Sequence, residues 1–178
     1  MNENNPIGWS KDFFLDWNNF KADHNPTIFE DAHSEIKFRF TWTVTSDTLD
    51  NKIIFSIQNI ELFVEFHPLL SSFRTLEKND IILKHEQGHF DLAELFKNEH
   101  LPKLQNKFYN KPFPTRGQND DQRKQFAKED SGKMIVVEIE KLEEQLQTKR
   151  QKYDDETSLG HNQEKQTEYD VLFTNLRK

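Results

Sequence analysis

A chain of 178 residues, 34% hydrophobic and 31% charged, with a formal net charge of -7, is long enough for one domain with a sizeable core. No Lys/Arg stripe interleaved with aromatics occurs, which argues against nucleic-acid binding, and the acidic surplus is a solubility feature. The absence of cysteine excludes a disulfide framework, thiolate catalysis and any Cys-based zinc site, while sixteen Phe and three Trp can build a core.

Met1 to Phe20 lacks the apolar stretch of a leader, so the residues predict a cytoplasmic protein. No apolar run approaches the roughly eighteen residues of a membrane span. Trp9, Phe13, Phe14, Trp17 and Phe20 stand at near-helical spacing, which predicts a short amphipathic helix or a packed arm, followed by a turn at Asn25-Pro26. From His33 to Thr45 apolar Ile36, Phe38, Phe40, Trp42 and Val44 alternate with polar residues, the pattern of a half-buried strand. After a turn over Asp47 to Asn51, two more strands are expected, one at Ile53, Phe55 and Ile57, the other from Ile60 to Phe66. The first half is therefore a small antiparallel sheet.

Helical period begins near Asn79, with Asn79 or Asp80 as cap and Ile81, Ile82, His85, His89, Leu92 and Phe96 on one broad face. Pro102, Pro112 and Pro114 are expected to break up the chain beyond that helix, and residues 115–132 read as loop or weak helix. A second long helix is predicted from about Met134 to Tyr153, with Ile135, Ile139, Leu142 and Leu146 on one seam, which also suits a helical interaction surface. Gly160 interrupts, and a last helix is expected over Gln163 to Leu176.

The chemistry lies in His85-Glu86-Gln87-Gly88-His89. On a helix that turns about 100° per residue, His85 and His89 stand about 40° apart and one turn apart, so both imidazoles can reach one metal ion. Glu86 lies about 100° round from His85, where it can flank the metal without ligating it, the position of a general base for water. Gly88 leaves space beside the site. The bland alternative is a pair of buried, hydrogen-bonded histidines. A third ligand must come from another segment, because Asp91 and Glu94 point to about 240° and 180° from His85 on the helix wheel. Leu92 and Leu95 stand where the extended metzincin pattern needs Gly and His. The segment from Tyr153 to His161 holds three carboxylates, a Tyr and a His, and is the densest source of ligands; as an ordinary turn it would use Thr157 or Ser158 as a helix cap.

Three stretches resemble a known family. Trp17-Asn18-Asn19-Phe20 is similar to an early Trp-x-x-Phe, Leu83 to Glu94 is close to a helix motif, and Tyr153-Asp154-x-Glu156-Thr157 with Gln166 is similar to a C-terminal motif of the predicted secreted zinc-dependent proteases. The resemblance covers nearly the whole chain. It implies a zincin-like α+β fold, export and peptidase activity. One departure stands out: the family's His two residues after the Thr is Leu159 here, and the nearest His is His161.

The sequence thus predicts an α+β fold, one domain over residues 1–178, in which a small antiparallel sheet precedes an active-site helix and a helical C-terminal half. It predicts a zinc-dependent metallopeptidase acting on a peptide or protein substrate. His85, His89 and His161 are the expected metal ligands, with Glu156 or Asp154 as alternatives to His161. Glu86 is the expected general base, and Tyr153 a donor to the oxyanion. An edge strand such as Ile60–Phe66 would pair with extended substrate. A non-catalytic zinc-binding module and a helical interaction protein are the competing expectations.

Overall fold

The computed structural model describes residues 5–25, 27 and 30–178. It is an α+β protein whose sheets are antiparallel, with three α-helices among the described residues. The strands are β1 (Ile7–Gly8), β2 (Ala32–His33), β3 (Ile36–Leu49), β4 (Lys52–Phe66), β5 (Ser72–Phe73) and β6 (Pro112–Pro114), and the helices are α1 (Asp80–Phe108), α2 (Asp120–Thr157) and α3 (Gln163–Leu176). In one sheet the order is β1-β4-β3, with β6 also on β4; β2 and β5 form a separate pair. None of the helices is long and apolar enough to cross a membrane.

The alternation predicted for the first long strand is kept. Ile36 and Phe38 are buried, Phe40, Trp42 and Val44 half-buried, and Lys37, Arg39, Thr41 and Thr43 exposed. The turn is tighter than expected: β3 runs on to Leu49, and only Asp50 and Asn51 connect it to β4, both at positive φ (49° and 59°), as a two-residue type I′ hairpin requires. The two further strands are one. Phe55 and Ile57 point inward, then Ile60, Leu62, Val64 and Phe66, a change of phase by one residue at Asn59, whose φ is 50°. A single extra residue of this kind is a β-bulge, and it makes one strand read as two.

Among the described residues, β4 is partly covered on both sides over Ile60–Phe66. β3 pairs along one side, and β1 covers Glu65 and Phe66 on the other. Val64 O accepts the N–H of Trp9 (2.9 Å), Ile60 N–H donates to Tyr109 Oη (2.8 Å), and Ile60 O accepts from Gln105 Nε2 (2.9 Å).

The N-terminal aromatic segment is an arm rather than a helix, with one 3-10 turn at Trp17–Asn19 capped by Asp16. The expected turn at Asn25-Pro26 falls partly outside the described residues. α1 starts where Asn79 Oδ1 accepts from Ile82 N (2.9 Å) and continues through Pro102 to Phe108, so that proline does not end it. Buried Leu104 and Phe108 anchor the turns beyond it, which offsets the lost backbone hydrogen bond. Pro112 and Pro114 instead sit in the short strand β6, opposite Ser56 and Ile54. α2 begins at Asp120, not near Met134; Asn119 Oδ1 caps it by accepting from Gln122 N (2.9 Å). α3 spans Gln163–Leu176 as the sequence predicts, with Asn162 as N-cap.

Two compact units divide the chain. The first draws on Met1–Arg39, Phe63–Lys97 and Gln145–Lys178. Its core joins the arm to the sheet and α1: Trp17 meets Phe73 at a tilt (4.6 Å, 42°), Phe20 meets Phe66 (5.2 Å), Phe66 meets Phe90 (6.1 Å), and Leu15 N donates to Gln87 Oε1 (2.7 Å). The second draws on Phe40–Leu62 and Asn98–Glu144. There Phe55, Ile57, Ile60, Leu104, Ile135 and Ile139 are buried, and Trp42 packs on Gly132 while its indole N–H donates to Ser131 Oγ (2.8 Å). Ile135 and Ile139 of the helical seam are thus taken up by the core, whereas Val136 and Val137 beside them are exposed.

Candidate metal centre

The site lies within the first unit and is built on α1. His85 and His89, one turn apart, are both buried, with ring centroids 4.8 Å apart. Opposite them the end of α2 brings in Asp154, whose Oδ1 stands 3.0 Å from His85 Nε2 and 2.9 Å from His89 Nε2. The donor atoms of His85, His89 and Asp154 all lie within 4.8 Å of one another, a group able to hold a metal ion.

Packing holds both rings. Tyr153, fully buried, stacks flat on His85 (4.5 Å, 12°) and meets His89 edge-on (5.1 Å, 89°). This approach exists because residue 88 is glycine: a Cβ there would stand 2.0 Å from Tyr153 Oη. After α2 the chain turns through three consecutive positive φ angles, Ser158 (49°), Leu159 (54°) and Gly160 (88°). Gly160 then passes so close to α1 that a Cβ would lie 2.8 Å from His85 Cβ.

Hydrogen bonds set the imidazoles. Thr157 Oγ1 donates to Tyr153 O (2.6 Å), and its oxygen and Gln166 Oε1 each lie 3.3 Å from His85 Nδ1. Nδ1 thus faces two acceptors, while Nε2 faces the Asp154 carboxylate at 3.0 Å. At His89, Arg150 Nε donates to Nδ1 (3.3 Å), so the ring proton sits on Nε2 and points at Asp154. Burial and then the Arg150 charge push His89 below the ordinary range and keep it neutral. Burial raises Asp154, but the hydrogen bonds from His85 and His89 outweigh it and hold the carboxyl well below the usual carboxylate range.

Glu86 is buried and stands outside the group of three donors, with its Oε2 accepting from Ser34 Oγ (2.5 Å). A narrow cleft of about 40 Å³, bordered by Ser34, Glu86, His89, Arg150 and Asp154, joins these groups. Asp154 also borders a larger cavity of about 670 Å³ lined in part by Glu30, Arg74, Gln151 and His161. Glu30, Gln151 and Asp154 border both the cleft and this cavity.

The predicted residues therefore separate. His85, Glu86 and His89 come together within one turn of α1. His161 is not brought to them; its side chain is 62% exposed and its Nε2 lies 4.0 Å from Asp31. The residue that the left-handed turn presses against His85 is Gly160, so the next side chain faces outward. Glu156 is spent on the Tyr169 hydroxyl (2.5 Å) and Lys152 (3.6 Å). Tyr153 reaches the site as a packing wall: its hydroxyl is bonded to Gln166 (3.0 Å) and His85 O (3.3 Å), and burial pushes its pKa up. Two further residues of the cleft, Ser34 and Arg150, carry no motif in the sequence. Arg150 stands one turn before Asp154 on α2, the spacing that would find it once Asp154 is known as a ligand.

Beside the cleft His33 lies between Glu30 (3.4 Å) and Glu35 (3.3 Å). Their hydrogen bonds, Glu30's first, raise it from 6.5 to about 9. A raised pKa stabilises the fold fully below the unfolded value of about 6.5 and ceases to do so as pH rises through about 9. The unfolding midpoint of the parent is expected to fall across that interval by more than that of His33→Gln; a third of the side chain is exposed, so the difference is small. Equal pH profiles for the two proteins would show that the trio does not carry a shifted titration.

No protein-family model, curated protein or solved structure matches this chain.

Proposed function

We propose that the protein is a zinc-dependent metallopeptidase of zincin-like build, hydrolysing a peptide bond with Glu86 as general base. The observation that carries the reading is the convergence of His85, His89 and Asp154 on one point with Glu86 on the adjacent cleft wall. Two imidazoles and a carboxylate are a donor set that suits zinc and leave a fourth position for water or substrate. In a tetrahedral zinc site neighbouring donors stand about 3.4 Å apart. The separations of 3.0 and 2.9 Å are shorter than that by a few tenths of an ångström, and all three donors lie within 4.8 Å of one another.

A zinc ion there would polarise the scissile carbonyl and lower the pKa of its water to about 7. Glu86 takes the proton of the attacking water and delivers it to the leaving amine. Ser34 holds the Glu86 carboxylate in place through its hydroxyl. Asp154 takes the ligand position expected of His161.

Purified without chelator, the protein is expected to hold about one zinc per chain and to cleave unfolded casein, with activity lost to a chelator and regained with zinc. No zinc uptake on titration sinks the reading; zinc uptake without turnover leaves a non-catalytic zinc module. Asp154→Asn is expected to weaken zinc binding well beyond the ten- to hundredfold of an outer-sphere loss, whereas His161→Ala binds like the parent. Calorimetric zinc titration separates the two, and the reverse result would return the third ligand to His161.

A further inference from the structure

The hydrolytic scheme leaves one buried charge of the cleft unused. Arg150 is 9% exposed, and its guanidinium makes two hydrogen bonds among the described residues, Nη2 to Ser34 O (2.7 Å) and Nε to His89 Nδ1 (3.3 Å). Among the described residues no ion pair joins it to Glu86 or Asp154, the carboxylates of the same cleft, and Nη1 is engaged by neither bond. Burying a guanidinium without a carboxylate is costly, and a fixed cation beside a metal site opposes binding of a second cation. Such a charge is useful where negative charge develops during a reaction.

Proton placement leads to the same group. Ligation through His89 Nε2 requires the ring proton on Nδ1, and an N–H cannot accept from the Arg150 Nε–H. Metal loading would therefore release at least one guanidinium donor from His89 into the cleft that Glu86 borders. Tyr153, whose hydroxyl is already committed to Gln166 and His85 O, offers no such donor.

Resting on the peptidase reading, we infer that Arg150 donates hydrogen bonds to the substrate's carbonyl oxygen as it becomes an oxyanion. In that step the water oxygen bonds to the carbonyl carbon, its proton passes to Glu86, and the C=O π pair moves onto the oxygen facing Arg150. Collapse re-forms the carbonyl and breaks the C–N bond, with the proton going from Glu86 to the amine. Arg150 gains and loses no proton throughout.

The test is Arg150→Met compared with the zinc-loaded parent. Zinc affinity should equal or exceed the parent's, kcat on casein should fall at least about a hundredfold, the scale of one lost oxyanion donor, with KM little changed. Added guanidinium ion should restore part of the activity, and an equal concentration of urea should not. A readout independent of turnover is the 15N spectrum of His89: a proton on Nε2 in the metal-free parent that moves to Nδ1 on zinc binding. Weaker zinc binding in step with lost activity, a loss confined to KM, or no rescue by guanidinium overturns the assignment of Arg150 while leaving the peptidase standing. A parent that takes up zinc but cleaves nothing overturns the peptidase reading itself.

Discussion

Glu86→Gln is expected to leave zinc bound at the parental affinity and to reduce peptide hydrolysis by at least about a hundredfold. Both halves rest on the side chain's surroundings. Glu86 is not among the three converging donors, and its carboxylate accepts from Ser34 Oγ on the cleft wall. Glutamine keeps the length of the side chain and, through its carbonyl oxygen, that hydrogen bond. It cannot take a proton from water near neutral pH, so the positioning survives and the base is lost. Zinc titration and a casein assay on the same preparation read the two separately. If the variant also fails to bind zinc, Glu86 is a ligand; if it keeps more than a tenth of the activity, another group is the base.

Gly88→Ala is the substitution expected to cost most stability. A Cβ at 88 would meet Tyr153 Oη at 2.0 Å and its ring carbon at 2.8 Å, with Phe173 at 3.1 Å. Tyr153 has nowhere to retreat, being fully buried between His85, Tyr169 and Phe173. Overpacking of this severity is at or above the upper end of the usual range, about 3 kcal/mol, against about 1 kcal/mol that alanine contributes over glycine inside a helix. A net loss of about 2 kcal/mol or more is expected in urea unfolding, accompanied by weaker zinc binding because the ring stacked on His85 must move. Tyr153→Phe in the same chain removes the nearest clashing atom and should recover part of the loss. A Gly88→Ala protein as stable as the parent would mean that Tyr153 does not occupy this position in solution.

Local pattern makes much of this legible. The strand alternation of Ile36 to Val44, the capping of α1 by Asn79 and the bounds of α3 are properties of neighbouring residues, and periodicity reports them. His85, Glu86 and His89 are legible for the same reason: one turn of helix fixes their relation. The third donor is not, because it depends on where a distant helix end is set against α1. Ser158, Leu159 and Gly160 adopt positive φ together, unusual for a leucine, and three such residues redirect the chain in a way that residue types do not announce. Ligand density between Tyr153 and His161 offers His161, Glu156 and Asp154 alike, and the turn leaves the His161 side chain exposed. The bulge at Asn59 hides the continuity of β4 because one inserted residue inverts every later side chain.

The covered flank of β4 bears on how the protein behaves at high concentration. A strand with a row of free N–H and C=O groups is a template on which other chains assemble into sheets. Here Tyr109 and Gln105 occupy both backbone groups of Ile60, and the arm residue Trp9 occupies Val64 O. The two side chains thus close part of an edge that would otherwise be open to pairing. Their loss is expected to show as turbidity on concentration together with a lower unfolding temperature, because the N–H and C=O of buried Ile60 lose their partners.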